Sequence, residues 1–176
     1  MSATPATPVR VLVAYGTANG ATAQIAGAIA DVLRKAGLQA EPRLVRFVAD
    51  VSPYEAVVLG SGLYAGRWQK DARKFVRRHH RALAARPLWL FSSGPLDVSA
   101  SQRDIPATPS VQRLADELGA REHVTFGGCL HEDAHSRGAR MILRSGKGGD
   151  FRDFPAIEKW AAHIADALLA ERGVSP

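Results

Sequence analysis

An almost unbroken apolar run, Val9, Val11, Leu12, Val13 and Ala14, stops at Gly16 and gives way within a few residues to helical periodicity. A run that is apolar at consecutive positions predicts a strand covered on both faces, as in a parallel sheet. Ile25, Ala26, Ile29, Leu33 and Ala36 then recur at three- and four-residue spacing, and Gly37 stands where a helix ends in a left-handed turn. A doubly covered strand leading directly into an amphipathic helix is the building unit of layered α/β domains.

The unit repeats. Leu38 to Leu44 reads as a second strand, Ser52-Pro53 as a connection, and Ala56 to Gly60 as another doubly covered strand. Lys70 to Ala85 predicts a helix with Ala72, Phe75, Val76, His79 and Leu83 on one face, followed by a strand at Leu88 to Ser92. Thr108-Pro109 reads as a cap followed by proline in the first turn of a helix through Val111, Leu114, Ala115 and Leu118. His123 to Leu130 is the expected fifth strand. The last helix carries Ile157, Trp160, Ala161, Ile164, Ala165, Leu168 and Leu169 in one stripe, with Asp153 as its cap. The expected fold class is therefore α/β, a doubly wound five-stranded parallel sheet with helices on both faces and right-handed crossovers. At 176 residues and 46% hydrophobic the chain can fill one core, which places one domain at 9–172 behind a disordered tail at 1–8, rich in Ala, Thr and Pro.

Composition narrows the function less than the pattern narrows the fold. Lys plus Arg is 23 against 17 for Asp plus Glu, a net +6. Such an excess suits nucleic acid, an anionic membrane surface or a phosphorylated ligand, and selects none of them. No apolar stretch approaches the ~20 residues that span a bilayer, and Met1 to Pro8 lacks the basic and apolar regions of a secretory leader. The single cysteine, Cys129, has no partner within the chain for a disulfide. These features predict a cytoplasmic protein, with a peripheral position on the inner membrane face as an extension of its charge.

Ligands of open α/β sheets bind beyond the carboxyl ends of strands, where the strand order reverses. Three loops lie there: Gly16 to Thr22, Ser61 to Trp68, and Ser92 to Asp97. In the first, Thr17, Ala18, Asn19, Gly20, Ala21 and Thr22 let backbone N–H groups turn inward as an anion nest at a helix start, with hydroxyl and amide donors added. No lysine or arginine lies in it, so a phosphate held by neutral donors fits better than a Walker-type site. The plain alternative is a strand-to-helix turn capped by Thr22. The second loop sets Tyr64 and Trp68 among Gly62, Leu63, Ala65 and Gly66; either aromatic suits stacking on a flat ring, and either suits the edge of a core. The third, with Ser92, Ser93, Gly94, Pro95 and Leu96, is short-sided and rigid, fit to bond a ring edge through its backbone or simply to turn the chain.

Together the stretches Tyr15 to Thr22, Val57 to Ser61 and Leu90 to Gly94 resemble the flavodoxin-like family over nearly the whole chain. The resemblance implies strand order 2-1-3-4-5 and FMN as cofactor, with the first loop on the phosphate and the second and third on the isoalloxazine ring. Asn19 stands where the family commonly has Thr or Ser, and it too can donate to a phosphate oxygen. Tyr54 to Arg81 and the segment Gly149 to Phe154 look similar to the menaquinone-dependent protoporphyrinogen oxidase branch. That branch carries a basic insertion after its fifth strand, and Ser136 to Arg144 here is a shorter basic stretch.

Three other patterns invite chemistry. His131-Glu132-Asp133-Ala134-His135 matches H-E-x-x-H literally, but glycines on both sides argue against the helix that zinc ligation by it needs. Gly60-Ser61-Gly62-Leu63-Tyr64-Ala65 fits a nicotinamide fingerprint, yet it follows the wrong strand and lacks the acid ~20 residues later. Its glycines read instead as close approach to the flavin or as a tight turn. Lys70, Arg73, Lys74, Arg77, Arg78 and Arg81 read as a solvated helix face, and His79 as a packed, satisfied side chain. The expected function is an FMN-dependent oxidoreductase, a two-electron dehydrogenase with a quinone-like acceptor, because positive charge such as Arg67 favours anionic reduced flavin. The alternatives are a flavodoxin-type electron carrier, or a flavin-free binding or regulatory module with a basic face. The expected partners are a redox partner or quinone-like acceptor and no nucleic acid; Arg137 to Arg144 is the stretch for peripheral membrane contact, and a homodimer is the assembly left open.

Overall fold

The computed structural model describes residues 7–17, 20–94, 99–130 and 149–173. In chain order the elements are β1 (Arg10–Gly16), α1 (Ala21–Lys35), β2 (Gln39–Leu44), a 3-10 turn at Val45–Phe47, β3 (Ala56–Tyr64), β4 (Arg67–Trp68), α2 (Lys70–Arg78) and α3 (His80–Ala84). Then come β5 (Leu88–Ser93), α4 (Ser99–Gln102), α5 (Pro109–Leu118), β6 (Glu122–Phe126), β7 (Cys129–Leu130), β8 (Gly149–Asp150) and α6 (Phe154–Gly173). The main sheet runs β2-β1-β3-β5-β6, all parallel, which is the order 2-1-3-4-5 of its five principal strands. The chain steps outward from β1 to β2 and then crosses to β3 on the other side. The reversal therefore opens between β1 and β3.

Strand residues alternate between two cores. Val11 and Val13 join Ile25, Ile29, Trp89, Phe91, Ile157 and Trp160 beneath α1 and α6. Leu12 and Ala14 join Val57, Leu59, Trp68, Phe75, Leu83, Leu90 and Val111 beneath α2, α3 and α5. Because both faces are covered, the central strands β1 and β5 show almost no polar side, whereas the edge strand β2 keeps Gln39 and Arg43 exposed. The ends of two helices follow from local chemistry. Gly37, at φ +95°, closes α1 with its own N–H on Arg34 and that of Leu38 on Leu33, two bonds that satisfy carbonyls the helix leaves free. Asp153 caps α6 by accepting the Ala156 N–H at 3.1 Å.

The structure departs from the sequence reading in several places. The strand expected to stop at Gly60 continues to Tyr64 and folds back as β4, Leu63 and Tyr64 pairing antiparallel with Trp68 and Arg67. The single helix expected at Lys70 to Ala85 breaks at His79, whose φ of −111° is not helical. The fifth strand ends at Phe126, and Cys129–Leu130 pairs instead with Gly149–Asp150. Gly127 permits that crossing, since a Cβ there would strike the Phe151 carbonyl oxygen. Thr108 flanks α5 without capping it: its hydroxyl donates across to Gly66 O at 2.7 Å.

Candidate functional site

The first loop meets α1 through a glycine. Gly20, at φ +83°, occupies the N-cap position, and no side chain caps the helix. The Gly20 N–H donates to Thr17 Oγ1 at 2.9 Å, so the threonine folds the loop back on itself. Thr22 is not the cap; it lies one residue inside the helix and is buried. The first turn holds no acid, leaving the positive end of the helix unopposed within α1. Apart from its chain neighbours, no atom of the described residues comes within 4 Å of a Cβ built at Gly20. Ala18 and Asn19 lie outside the described residues.

The second loop is the β3–β4 hairpin. Ala65 and Gly66 both have positive φ, +50° and +75°, a two-residue turn whose twist suits a hairpin and which only glycine adopts freely at both places. Tyr64 projects, 53% exposed. Trp68 is 2% exposed, and its indole N–H donates to Ser92 Oγ at 2.8 Å. Of the two aromatics, Tyr64 is thus the one left exposed, and Trp68 anchors the hairpin from inside. From outside, the hydroxyls of Thr108 and Ser110 both donate to Gly66 O, at 2.7 and 3.0 Å.

The third loop leaves β5 at Ser93. Gly94 donates its N–H to Phe126 O at 2.9 Å, and a Cβ on Gly94 would stand 3.1 Å from Leu63 Cβ, so this loop abuts the hairpin. Ser92 points inward: its Oγ lies 2.8 Å from His123 Nε2 as well as from Trp68 Nε1. Burial lowers the His123 pKa to about 4, leaving a neutral ring at neutral pH. Pro95 and Leu96 lie outside the described residues. The first and second loops also touch, because a Cβ on Gly62 would stand 3.4 Å from Thr22 Oγ1. The described parts of the three loops thus meet at the carboxyl ends of β1, β3 and β5, and the strand reversal falls among them.

Two positioning side chains, Ser61 and Arg152, have roles that the sequence did not signal. Ser61 Oγ accepts the Gln69 N–H at 2.9 Å and holds the start of α2. The Arg152 side chain, 6% exposed, pairs with Asp150 at 2.7 Å and reaches Ala21 O at 3.3 Å and the Gln24 amide oxygen, tying the β8 segment to the first turn of α1. Asp150 holds the Arg152 pKa above its usual value. Neither of these has a periodic or motif signature, since each depends on a partner from another element.

The Gly60 to Ala65 stretch lies inside β3 and its turn, not at a strand-to-helix junction, which removes the nicotinamide reading. Gly60 makes room within the core: the ring of Phe91 lies where its Cβ would be. His79 packs on Phe75 with ring centroids 4.6 Å apart and bonds the Val48 backbone, but its buried Nε2 finds no partner among the described residues, so it is packed and only half satisfied. Burial, the largest cause, lowers its pKa. Arg73 is not simply solvated; it donates to Trp68 O at 3.2 Å. Among the described residues, no ion pair involves Arg67, Lys70, Lys74, Arg77, Arg78 or Arg81. His131 to His135 and Arg137 to Arg144 lie outside the described residues.

The described residues thus set a helix start without a side-chain cap, chemistry suited to an anion, near an exposed tyrosine, chemistry suited to a flat ring. A sequence model of the flavodoxin domain family matches residues 12–145. No curated protein matches the chain. Among solved structures it is similar to rubredoxin:oxygen oxidoreductase of the anaerobe Desulfovibrio gigas, at 14% identity and TM-score 0.61, covering 93% of this chain and 37% of that one. It is similar to a flavodoxin from the domain Archaea, at 13% identity and TM-score 0.59, covering 90% and 98%. A third likeness is to the flavodoxin of Streptococcus pneumoniae, at 17% identity and TM-score 0.55, covering 90% and 99%. At such identities the likeness is one of fold, and the chain spans little more than a third of the Desulfovibrio protein.

Proposed function

The chain belongs to the flavodoxin-domain family, and from that premise we propose that it is an FMN protein acting as a two-electron dehydrogenase with a quinone-like acceptor, similar to the protoporphyrinogen oxidase branch. The observation that carries the FMN reading is the meeting of the three loops through Thr22 and Gly62, and through Leu63 and Gly94. When bound, FMN supplies reversible transfer of electrons and protons. The protein supplies the rest. Thr17, Gly20, Ala21 and Thr22, with Ala18 and Asn19 between them, hold the phosphate at the start of α1. Tyr64, Leu63, Ala65 and Gly66 cover one side of the ring, and Ser93, Gly94, Pro95 and Leu96 border its edge.

The dehydrogenase reading rests on charge. Arg67 sits in the hairpin and Lys70 opens α2, both exposed and without an acidic partner among the described residues. Cations beside the ring stabilise reduced, anionic flavin and raise its potential. A carrier reading stays beside it, because the chain covers nearly the full length of two small flavodoxins. We place the domain at 9–172 in the cytoplasm, with Arg137 to Arg144 as a membrane contact and a homodimer as the assembly. No described helix is long and apolar enough to cross a membrane. A redox titration of the holoprotein separates the readings. One two-electron wave, with turnover on a soluble quinone, supports the dehydrogenase; two well-separated one-electron waves and no quinone turnover support the carrier. A protein that takes up no FMN and is retained on immobilised nucleic acid in a salt-sensitive way supports a flavin-free module.

A further inference from the structure

Ser92 was expected to touch the cofactor, but its surroundings give it a different task. The hydroxyl is 1% exposed and stands between Trp68 Nε1 and His123 Nε2, each 2.8 Å away. An indole nitrogen only donates, so Ser92 accepts from Trp68; the remaining polar capacity meets an imidazole kept neutral by its burial. These three residues come from three different strands. Trp68 ends the hairpin that presents Tyr64, Ser92 immediately precedes the Ser93-Gly94 turn, and His123 lies in β6. The two strands of the hairpin tip pair through only two residue pairs, and Ala65 is held in a left-handed conformation that L residues avoid. A hairpin so short and so strained keeps its shape only if its surroundings impose it.

We propose that Ser92 is a positioning residue that locks the Tyr64 hairpin to the Ser93-Gly94 turn through Trp68 and His123, so that flavin meets a frame already set before binding. The proposal rests on the FMN reading above. Without the hydroxyl, the buried indole N–H and imidazole nitrogen lose their partner, and the hairpin gains freedom that binding must then remove.

The test compares wild type with Ser92→Ala, Trp68→Phe and His123→Gln, each stripped of flavin and titrated with FMN by fluorescence quenching. Amide hydrogen exchange of the unliganded proteins is followed in parallel. Ser92→Ala and Trp68→Phe are expected to weaken FMN binding about ten-fold, the size of one lost hydrogen bond. Exchange should quicken at residues 62–68 while α1 and α6 stay protected. His123→Gln, whose amide can meet Ser92 where the imidazole nitrogen did, should stay within about two-fold of wild type. If the variants bind FMN like wild type, or exchange quickens throughout the sheet, Ser92 has a merely structural role and the proposal is overturned. A wild-type protein that fails to quench FMN sinks the FMN reading and this proposal with it, an outcome visible before any variant is compared. If Ser92→Ala does not fold, Trp68→Phe, which keeps an aromatic ring and removes only the donor side, decides by the same two readings.

Discussion

Gly60→Ala is expected to destabilise the protein although it adds one methyl group to a strand. A Cβ on Gly60 would fall 2.2, 2.3 and 2.4 Å from Cζ, Cε1 and Cε2 of Phe91. Carbon atoms settle ~3.5–4.0 Å apart, so the ring must retreat by roughly 1.3 Å. It has no free direction. Phe91 is fully buried, with the rings of Phe126 and Trp160 each 6.2 Å away, centroid to centroid. Overpacking a filled core costs ~1–3 kcal/mol, and the upper half applies where the displaced group is a ring backed by two others. Alanine in a strand recovers ~0.5–1 kcal/mol of the entropy that glycine loses on folding, leaving a net loss of about 2 kcal/mol. For a chain of this size that lowers Tm by roughly 4–8 °C. Urea unfolding followed by circular dichroism measures it, with the midpoint falling and the slope unchanged. Phe91→Leu in the Gly60→Ala background should recover part of the loss, giving a coupling of ~1 kcal/mol or more. Wild-type stability in Gly60→Ala, or strict additivity of the two changes, would refute the claim that this ring requires the glycine.

Three further outcomes follow from the same geometry. Because the His123 pKa lies near 4 in the folded state against 6.5 for the free side chain, the unfolded chain binds a proton that the folded chain refuses. Stability should thus be complete above pH 6.5 and fall by about 2 kcal/mol toward pH 4, a value reduced for the ring's partial exposure. His123→Gln should remove that part of the pH dependence, and identical pH profiles of the two proteins would contradict it. Arg152→Ala should cost about 2 kcal/mol in urea unfolding and speed hydrogen exchange in the first turn of α1, since it removes the arginine's bonds to Asp150, Ala21 O and Gln24 at once. Unchanged exchange at residues 21–24 would show that the arginine does not tie these segments together. Ala65→Asn should raise stability by about 0.5–1 kcal/mol, because asparagine tolerates the left-handed conformation that alanine resists, and a loss of stability would mean that the turn is not strained.

What the sequence made legible was what lies close along the chain. Val11 to Ala14 are apolar at consecutive positions because both faces of β1 are covered, and Gly37 and Asp153 act within one turn of their helices. The hairpin was hidden because Gly60-Ser61-Gly62 looks like the end of a strand. What makes Gly60 part of one is the ring of Phe91, on a neighbouring strand. Thr108 has the residue type and position of a cap, yet its hydroxyl goes to Gly66 because the hairpin brings that carbonyl within reach. Trp68 looks the same in sequence whether it stacks on a ligand or fills a core. Only its bond to Ser92 decides, and the two residues are far apart in the chain. The loops of the site were found from strand ends and small residues, while Ser61, Gln69, His123 and Arg152, which hold them in place, act through tertiary contacts that leave no local pattern.

The central claim is that the three loops form one site for a phosphate joined to a flat ring. Titrating the flavin-free protein with FMN and, separately, with riboflavin tests it most directly. The account predicts saturable quenching with one FMN per chain, riboflavin weaker by at least ten-fold for want of the phosphate, and weaker FMN binding in Tyr64→Ala. Equal affinity for FMN and riboflavin would remove the phosphate from the start of α1, and no quenching by either would remove the flavin.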